Sequence, residues 1–229
     1  MLRFLATGAV LVGLAACCGA DEAKVALKTE IPEEILAGTP PEVLAMLFPN
    51  LEKPPEGEPP EFLVPKGTVN LALKKRATAS DTNPILGKIA FVTDGNKQGN
   101  EQSYVELAPG KQWVQIDLEK PSRVFAVYLW HYFHEARSYH DVVVQVAADA
   151  GFTKNVHTLY NCDQDGSLGL GVGKNRPYIE TYFGKLIDAR GAEGRFLRLY
   201  SNGNTANDLN HYVEVEIFGK PVDVGAPSR

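Results

Sequence analysis

Downstream of about residue 67, apolar and polar positions follow strand spacing. Val114, Ile116 and Leu118 alternate with Gln115 and Asp117, a period of two that turns one face of an extended chain inward. The runs VFAVYLW (124–130) and DVVVQVA (141–147) are apolar almost throughout, and they predict strands covered on both faces. Phe196 to Tyr200 and Tyr212 to Phe218 predict two more strands, separated by the polar stretch SNGNTANDLNH. Asn-Pro, Asp-Gly, Pro-Gly and Asn-Gly pairs punctuate these runs, as expected for an antiparallel β-sandwich or barrel. No helix-period segment longer than two turns and no internal repeat interrupts the pattern.

The pattern changes upstream. Residues 18–66 hold nine prolines between Pro32 and Pro65, with glutamates among them, as in EKPPEGEPPEF. So little apolar surface offsets poorly the entropy of ordering, so the segment is expected to be an extended, semi-rigid linker. Two pieces, PEEILAG and PPEVLAMLF, place a proline where a first helical turn begins and allow a turn or two of helix. Residues 1–16, MLRFLATGAVLVGLAA, have one early arginine, an apolar run and small residues at the end. That is an export signal, too short to span a bilayer. Leu14-Ala15-Ala16-Cys17 resembles the bacterial lipobox, in which the cysteine is lipidated; the plain alternative is signal-peptide cleavage near Ala16 or Ala20. The expected location is therefore the bacterial cell envelope, with a lipid anchor at Cys17, a domain over 67–222 and a tail over 223–229.

Charge and cysteines narrow the choices. A formal net charge of -5 argues against nucleic acid as a partner, because phosphate-tracking proteins concentrate Lys and Arg on one face. Two of the three cysteines, Cys17 and Cys18, sit at the export junction, which leaves Cys162 without a partner for a disulfide inside the domain. The 44% of apolar residues suffice for one good core.

Several ordered blocks then carry a resemblance. NLALKKRATAS (70–80), FVTDGN (91–96), WVQIDLEKPSRVFAVYLW (113–130), GRFLRLYSNG and HYVEVEIFG resemble, in this order, the discoidin or coagulation-factor type C family of galactose-binding-like domains, which includes many bacterial carbohydrate-binding modules. The usual Gly-Lys-Pro after the first strand is Lys74-Lys75-Arg76 here. The resemblance implies an eight-stranded, all-β jelly roll whose loops at one end bind a glycan or polysaccharide. It also implies a structural calcium ion. For that ion the sequence offers the Asp94 carboxylate, the carbonyls of Phe91 and Asn96 around the Gly95 turn, the Val213 carbonyl and the Glu214 carboxylate, the oxygen ligands a hard cation needs. The alternative for Asp94-Gly95-Asn96 is an ordinary turn. A second oxygen-rich stretch, NCDQDG (161–166), starts like a calcium loop, but Val172 stands where a closing Glu is required.

Candidate ligand chemistry gathers in WHYFHEARSYHD (130–141). Flat rings and planar donors suit sugars, and His131, Arg137, Tyr139, Asn202 and Asn204 form the expected ligand-binding set. Two other readings stand beside it. The residues can satisfy one another, with Arg137 pairing to Glu135 or Asp141, or His131, His134 and His140 can hold a transition metal, although a spacing of three in an extended chain points side chains to opposite faces. Ser138, His140 and Asp141 adjoin too closely for a triad, and GLGVGKN (169–175) lacks the strand, helix and Lys of a phosphate loop. No catalytic residues are assigned. The expectation is a non-enzymatic, calcium-stabilised glycan-binding module, or alternatively an adhesion or scaffold subunit that grips an envelope protein through the same loops.

Overall fold

The structure is a computed structural model that describes residues 22–53 and 57–222. In chain order the strands are β1 (Lys24–Ala26), β2 (Leu63–Pro65), β3 (Val69–Asn70), β4 (Ala77–Ala79), β5 (Val105–Leu107), β6 (Lys111–Trp130), β7 (Val143–Ala147), β8 (His157–Asn161), β9 (Lys185–Asn202), β10 (Asn210–Tyr212) and β11 (Glu214–Pro221). One short helix, α1 (Pro41–Leu47), lies between β1 and β2, and a 3-10 turn at Ile89–Thr93 precedes β5. Every named strand pair is antiparallel.

The long pair β6 and β9 organises the molecule. Lys111 pairs with Asn202 at one end of this ribbon and Leu129 with Lys185 at the other. Register shifts at Asp117/Ser122 and Val124/Ala126 interrupt the ladder midway. Beside them the backbone takes positive φ at Glu119 (66°), Arg190 (53°) and Gly191 (74°), which bends and twists the ribbon as bulges do. The ribbon therefore doubles back. Val114, Ile116 and Leu118 from its first half meet Val124, Val127 and Leu129 from its second half in one core. The first half, with β4 on one side and β9, β7 and β8 on the other, makes one layer; the second half, with β11 and β3 outside it, makes the other. This is the antiparallel sandwich that the apolar alternation predicts, with the jelly-roll form that the family resemblance implies. The run at β7 is buried at all five positions, as a strand covered on both faces must be.

Doubling the ribbon brings both of its ends to one end of the sandwich. The segments 94–104, 131–142, 162–184 and 203–213 converge there, tied by Asn202 N–H to the His140 carbonyl (3.0 Å), Thr205 N–H to Ser138 (3.0 Å), Glu180 N–H to Arg137 (2.8 Å) and Val213 N–H to Trp130 (2.8 Å).

The segment read from sequence as an extended tether lies on the sandwich instead. β1 pairs with β2, Ala37 N–H reaches the His134 carbonyl (2.6 Å), and Glu52 N–H reaches that of Pro177 (2.8 Å). Leu44 of α1 and Leu51 share a small apolar cluster with Ile179. The prolines that argued for extension also limit the freedom of the unfolded chain, so a few apolar anchors and hydrogen bonds suffice to dock the segment. Of the two helical pieces expected, PPEVLAMLF forms α1, whereas PEEILAG is not helical and meets the sandwich through the Ala37 bridge to Glu135. The export signal, Cys17 and the 223–229 tail lie outside the described residues.

Candidate functional site

Loop 131–142 begins where β6 ends, and its backbone is laced to the 202–205 turn, with Tyr139 bridged to Asn204. That lacing turns alternate side chains inward. His131, Tyr139 and Asn204, read from sequence as sugar contacts, are buried, as is Arg137, while Asn202 is half-buried. Most of their polar atoms bond to other protein atoms. His131 Nδ1 donates to Glu180 Oε1 at 2.7 Å, since a carboxylate only accepts. Tyr139 stacks on the His131 ring (centroids 4.2 Å apart) and sends its hydroxyl to His211 Nδ1 at 2.9 Å. Asn204 donates to Asn207 Oδ1 and the Leu209 carbonyl, and Asn202 to Asp141 Oδ2, each at 2.9 Å.

His211 completes this interior chain by approaching Glu106 Oε2 at 3.0 Å. Burial, with the Arg137 and His131 charges beside it, pushes the His211 imidazole down to about 3. It is neutral at ordinary pH, so Nε2 donates to Glu106 and Nδ1 accepts from Tyr139. Burial raises the Glu106 carboxyl and, more strongly, the Tyr139 hydroxyl. The result is a buried polar floor. His131 Nε2, Glu180 Oε2, Arg137 Nε and Ser138 Oγ have no hydrogen-bond partner there among the described residues.

Above the floor, Tyr104 and Tyr132 are half-buried and pack edge to face, with centroids 5.2 Å apart. The Arg137 guanidinium lies over Tyr132 at 4.7 Å and donates to Glu135 (2.5 Å). The Tyr104 ring also lies 5.9 Å from that of His211. Tyr104 and Tyr132 were not singled out from sequence. For Tyr132 a signal existed, because strand alternation continues past Trp130 and buries His131 and Phe133 while turning Tyr132 and His134 outward.

Of the residues proposed from sequence for calcium, Glu214 meets the Asp94–Gly95 turn. Glu214 opens β11 fully buried; its Oε2 accepts Gly95 N–H at 3.1 Å, and its Oε1 has no partner among the described residues. Burial, with the Asp94 and Glu216 charges nearby, pushes its carboxyl up to about 9. Asp94 caps its own turn by accepting Asn96 N–H at 2.7 Å, and the Phe91 carbonyl accepts Asp94 N–H at 3.4 Å. Val213 lies next to Glu214 with its N–H on the Trp130 carbonyl, and the Asn96 side chain is exposed. A buried carboxylate with an unanswered oxygen and a second carboxylate beside it fit a hard cation. The nearby ammonium of Lys97 is engaged elsewhere, 2.8 Å from Glu216 Oε1 and 2.6 Å from Thr29 Oγ1.

The other sequence candidates resolve as follows. Carboxylate oxygens of Asp141, Asp163 and Asp165 lie within 4.8 Å of one another, so NCDQDG gains a third carboxylate from a distant loop. Both Asp163 oxygens already accept N–H groups, from Ser167 (3.1 Å) and Leu168 (2.9 Å). Asp141 accepts from Ser167 Oγ and Asn202 instead of orienting His140, so Ser138, His140 and Asp141 form no relay. The glycine-rich stretch is pinned to the end of β8 by Gly173 N–H on Asp163 and Asn175 N–H on Asn161.

No family model and no curated protein matches the sequence. Solved structures resemble the chain in fold. The family 89 glycoside hydrolase from Clostridium perfringens is 14% identical, with a TM-score of 0.50 over 70% of this chain and 16% of that chain. Chitosan-binding module 1 from a Paenibacillus sp. IK-5 chitosanase/glucanase is 21% identical, with a TM-score of 0.43 over 66% of this chain and 99% of that chain. An F-lectin (fucolectin) from striped bass (Morone saxatilis) serum is 17% identical, with a TM-score of 0.47 over 70% of this chain and 52% of that chain. With the matched part of the hydrolase the chain shares its fold, an antiparallel jelly-roll sandwich.

Proposed function

We propose that the chain is a non-catalytic module that binds glycan or polysaccharide at the loop end of its sandwich. The observation that carries this reading is the half-buried pair Tyr104 and Tyr132, set on a buried polar network and backed by the buried Arg137 guanidinium. The two half-buried rings offer apolar surface for sugar C–H groups and their hydroxyls can bond sugar hydroxyls, while the Arg137 guanidinium packs against Tyr132 from within. His131, Tyr139, Asn202 and Asn204 then serve as the floor that fixes these contacts; a site held by interlocked side chains loses little ordering entropy on binding. A calcium ion is part of the proposal. Bound between Asp94 and Glu214, it would supply the positive charge that the buried carboxylate lacks and would tie the 94–104 loop to β11 beside the sugar surface.

Export and lipid anchoring at Cys17 belong to the same proposal and rest on residues 1–17 alone. Anchored copies would bind multivalently, which compensates for weak affinity per sugar. A second reading, an adhesion or scaffold subunit that grips an envelope protein, draws support from the exposed apolar side chains of Met46 (81 %) and Leu47 (67 %). Retention of the intact chain on immobilised polysaccharides, with calcium present, separates the two. Retention that free sugar releases supports the glycan reading. Capture from envelope extract that free sugar leaves untouched supports the adaptor.

A further inference from the structure

A cavity lies between the docked N-terminal segment and the loops 131–142 and 162–184 of the sandwich. It measures about 210 Å³, room for one small ring. Phe133, Glu180, Tyr182 and Phe183 line it from the sandwich, and Glu34 and Glu42 from the segment. None of its lining residues is basic.

Three features of this lining converge on one ligand chemistry. Glu180 is only 2 % exposed, and while His131 answers its Oε1, its Oε2 has no partner among the described residues. Burying a carboxylate oxygen without a donor is costly, so a donor belongs there. Glu34 and Glu42 are exposed and enter no ion pair or hydrogen bond among the described residues, so their charge adds to the field at the mouth. Tyr182 and Phe183 lie with ring centroids 4.1 Å apart, and aromatic faces attract cations while offering apolar surface. A divalent metal would need several convergent oxygens, whereas one buried carboxylate among aromatic rings suits an organic cation. We infer that this cavity binds a small protonated amine with an apolar face, its ammonium on Glu180 and its carbon skeleton among Phe133, Tyr182 and Phe183. The amine can be that of an amino sugar or of a non-sugar compound. The inference does not rest on the loop-end glycan reading, whose sugar contacts are Tyr104 and Tyr132, although Glu180 also holds His131 beneath them.

One wall of the cavity is the docked segment, so a bound amine ties that segment down. Calorimetric titration of the intact chain at pH 6 with glucosamine and with cyclohexylamine tests the inference, with N-acetylglucosamine and cyclohexanol as neutral counterparts. At least one amine is expected to bind about tenfold or more tightly than its neutral counterpart. Glucosamine alone indicates an amino-sugar site and cyclohexylamine as well a general amine site; both outcomes support the inference. The exposed pair Glu34→Gln/Glu42→Gln, which leaves the core intact, should weaken binding several-fold, Glu180→Gln should weaken it further, and the amine should slow proteolysis within residues 22–53. Equal binding of neutral and charged forms, binding by no amine, or affinity unchanged in Glu34→Gln/Glu42→Gln would overturn it.

Discussion

At Gly184 the backbone adopts φ +68° directly over Trp130, and a Cβ there would fall 2.5 Å from the indole ring. The same indole donates Nε1–H to the Tyr182 carbonyl at 3.0 Å, so the turn and the ring fix each other. Gly184→Ala combines overpacking with a strained φ and should cost about 2 kcal/mol, or ~4–8 °C in melting temperature. An unchanged melting curve would show that the turn relaxes freely. Sequence gave no hint of this glycine, because its partner is remote in the chain and only the fold brings them together. The ligand set shows the same limit. His131, Arg137 and Tyr139 were visible as sugar-type chemistry, but lacing of loop 131–142 to the 202–205 turn decided which side chains face inward, and that lacing depends on backbone partners far apart in sequence.

Among the elements, the strands were the most legible. Alternation at 114–118 and the largely apolar runs at 124–130 and 143–147 follow directly from one-sided or two-sided burial. The N-terminal segment was the least legible, since composition reports an average cost of ordering and not the few contacts that meet it. Chief among those contacts is Lys97, whose ammonium lies 2.8 Å from Glu216, 2.6 Å from Thr29 Oγ1, 2.9 Å from the Glu30 carbonyl and 4.6 Å from the Trp130 ring centroid. Both charged side chains are largely buried, at 8 % and 10 % exposure. Lys97→Met would leave Glu216 unpaired and should cost ~3–5 kcal/mol. Hydrogen exchange should then speed up first in residues 22–53. Uniform loss of protection across the sandwich would instead mean that Lys97 supports the core and not the segment.

For the whole molecule, the doubled β6–β9 ribbon explains why one end gathers the loops, the proposed cation site and the aromatic surface. Glu214 links them through pH. Its carboxyl stands near 9 in the ion-free fold against an ordinary 4.5, so folding favours the protonated form. The stability this confers is full below about pH 4.5 and is lost as pH rises through about 9, at up to ~1.4 kcal/mol per pH unit. Calcium favours the ionised form, so its binding near pH 7 should release about one proton and raise the melting temperature, and Glu214→Gln should abolish both effects. No proton release and no change in melting with excess calcium or chelator would remove the ion from the account. The central claim concerns the surface beside it. Titration of a glycan retained by the intact chain into the Tyr104→Ala/Tyr132→Ala variant, folded as judged by its melting curve, tests that claim most directly. The account requires a loss of about tenfold or more in affinity; full affinity in that variant would contradict it.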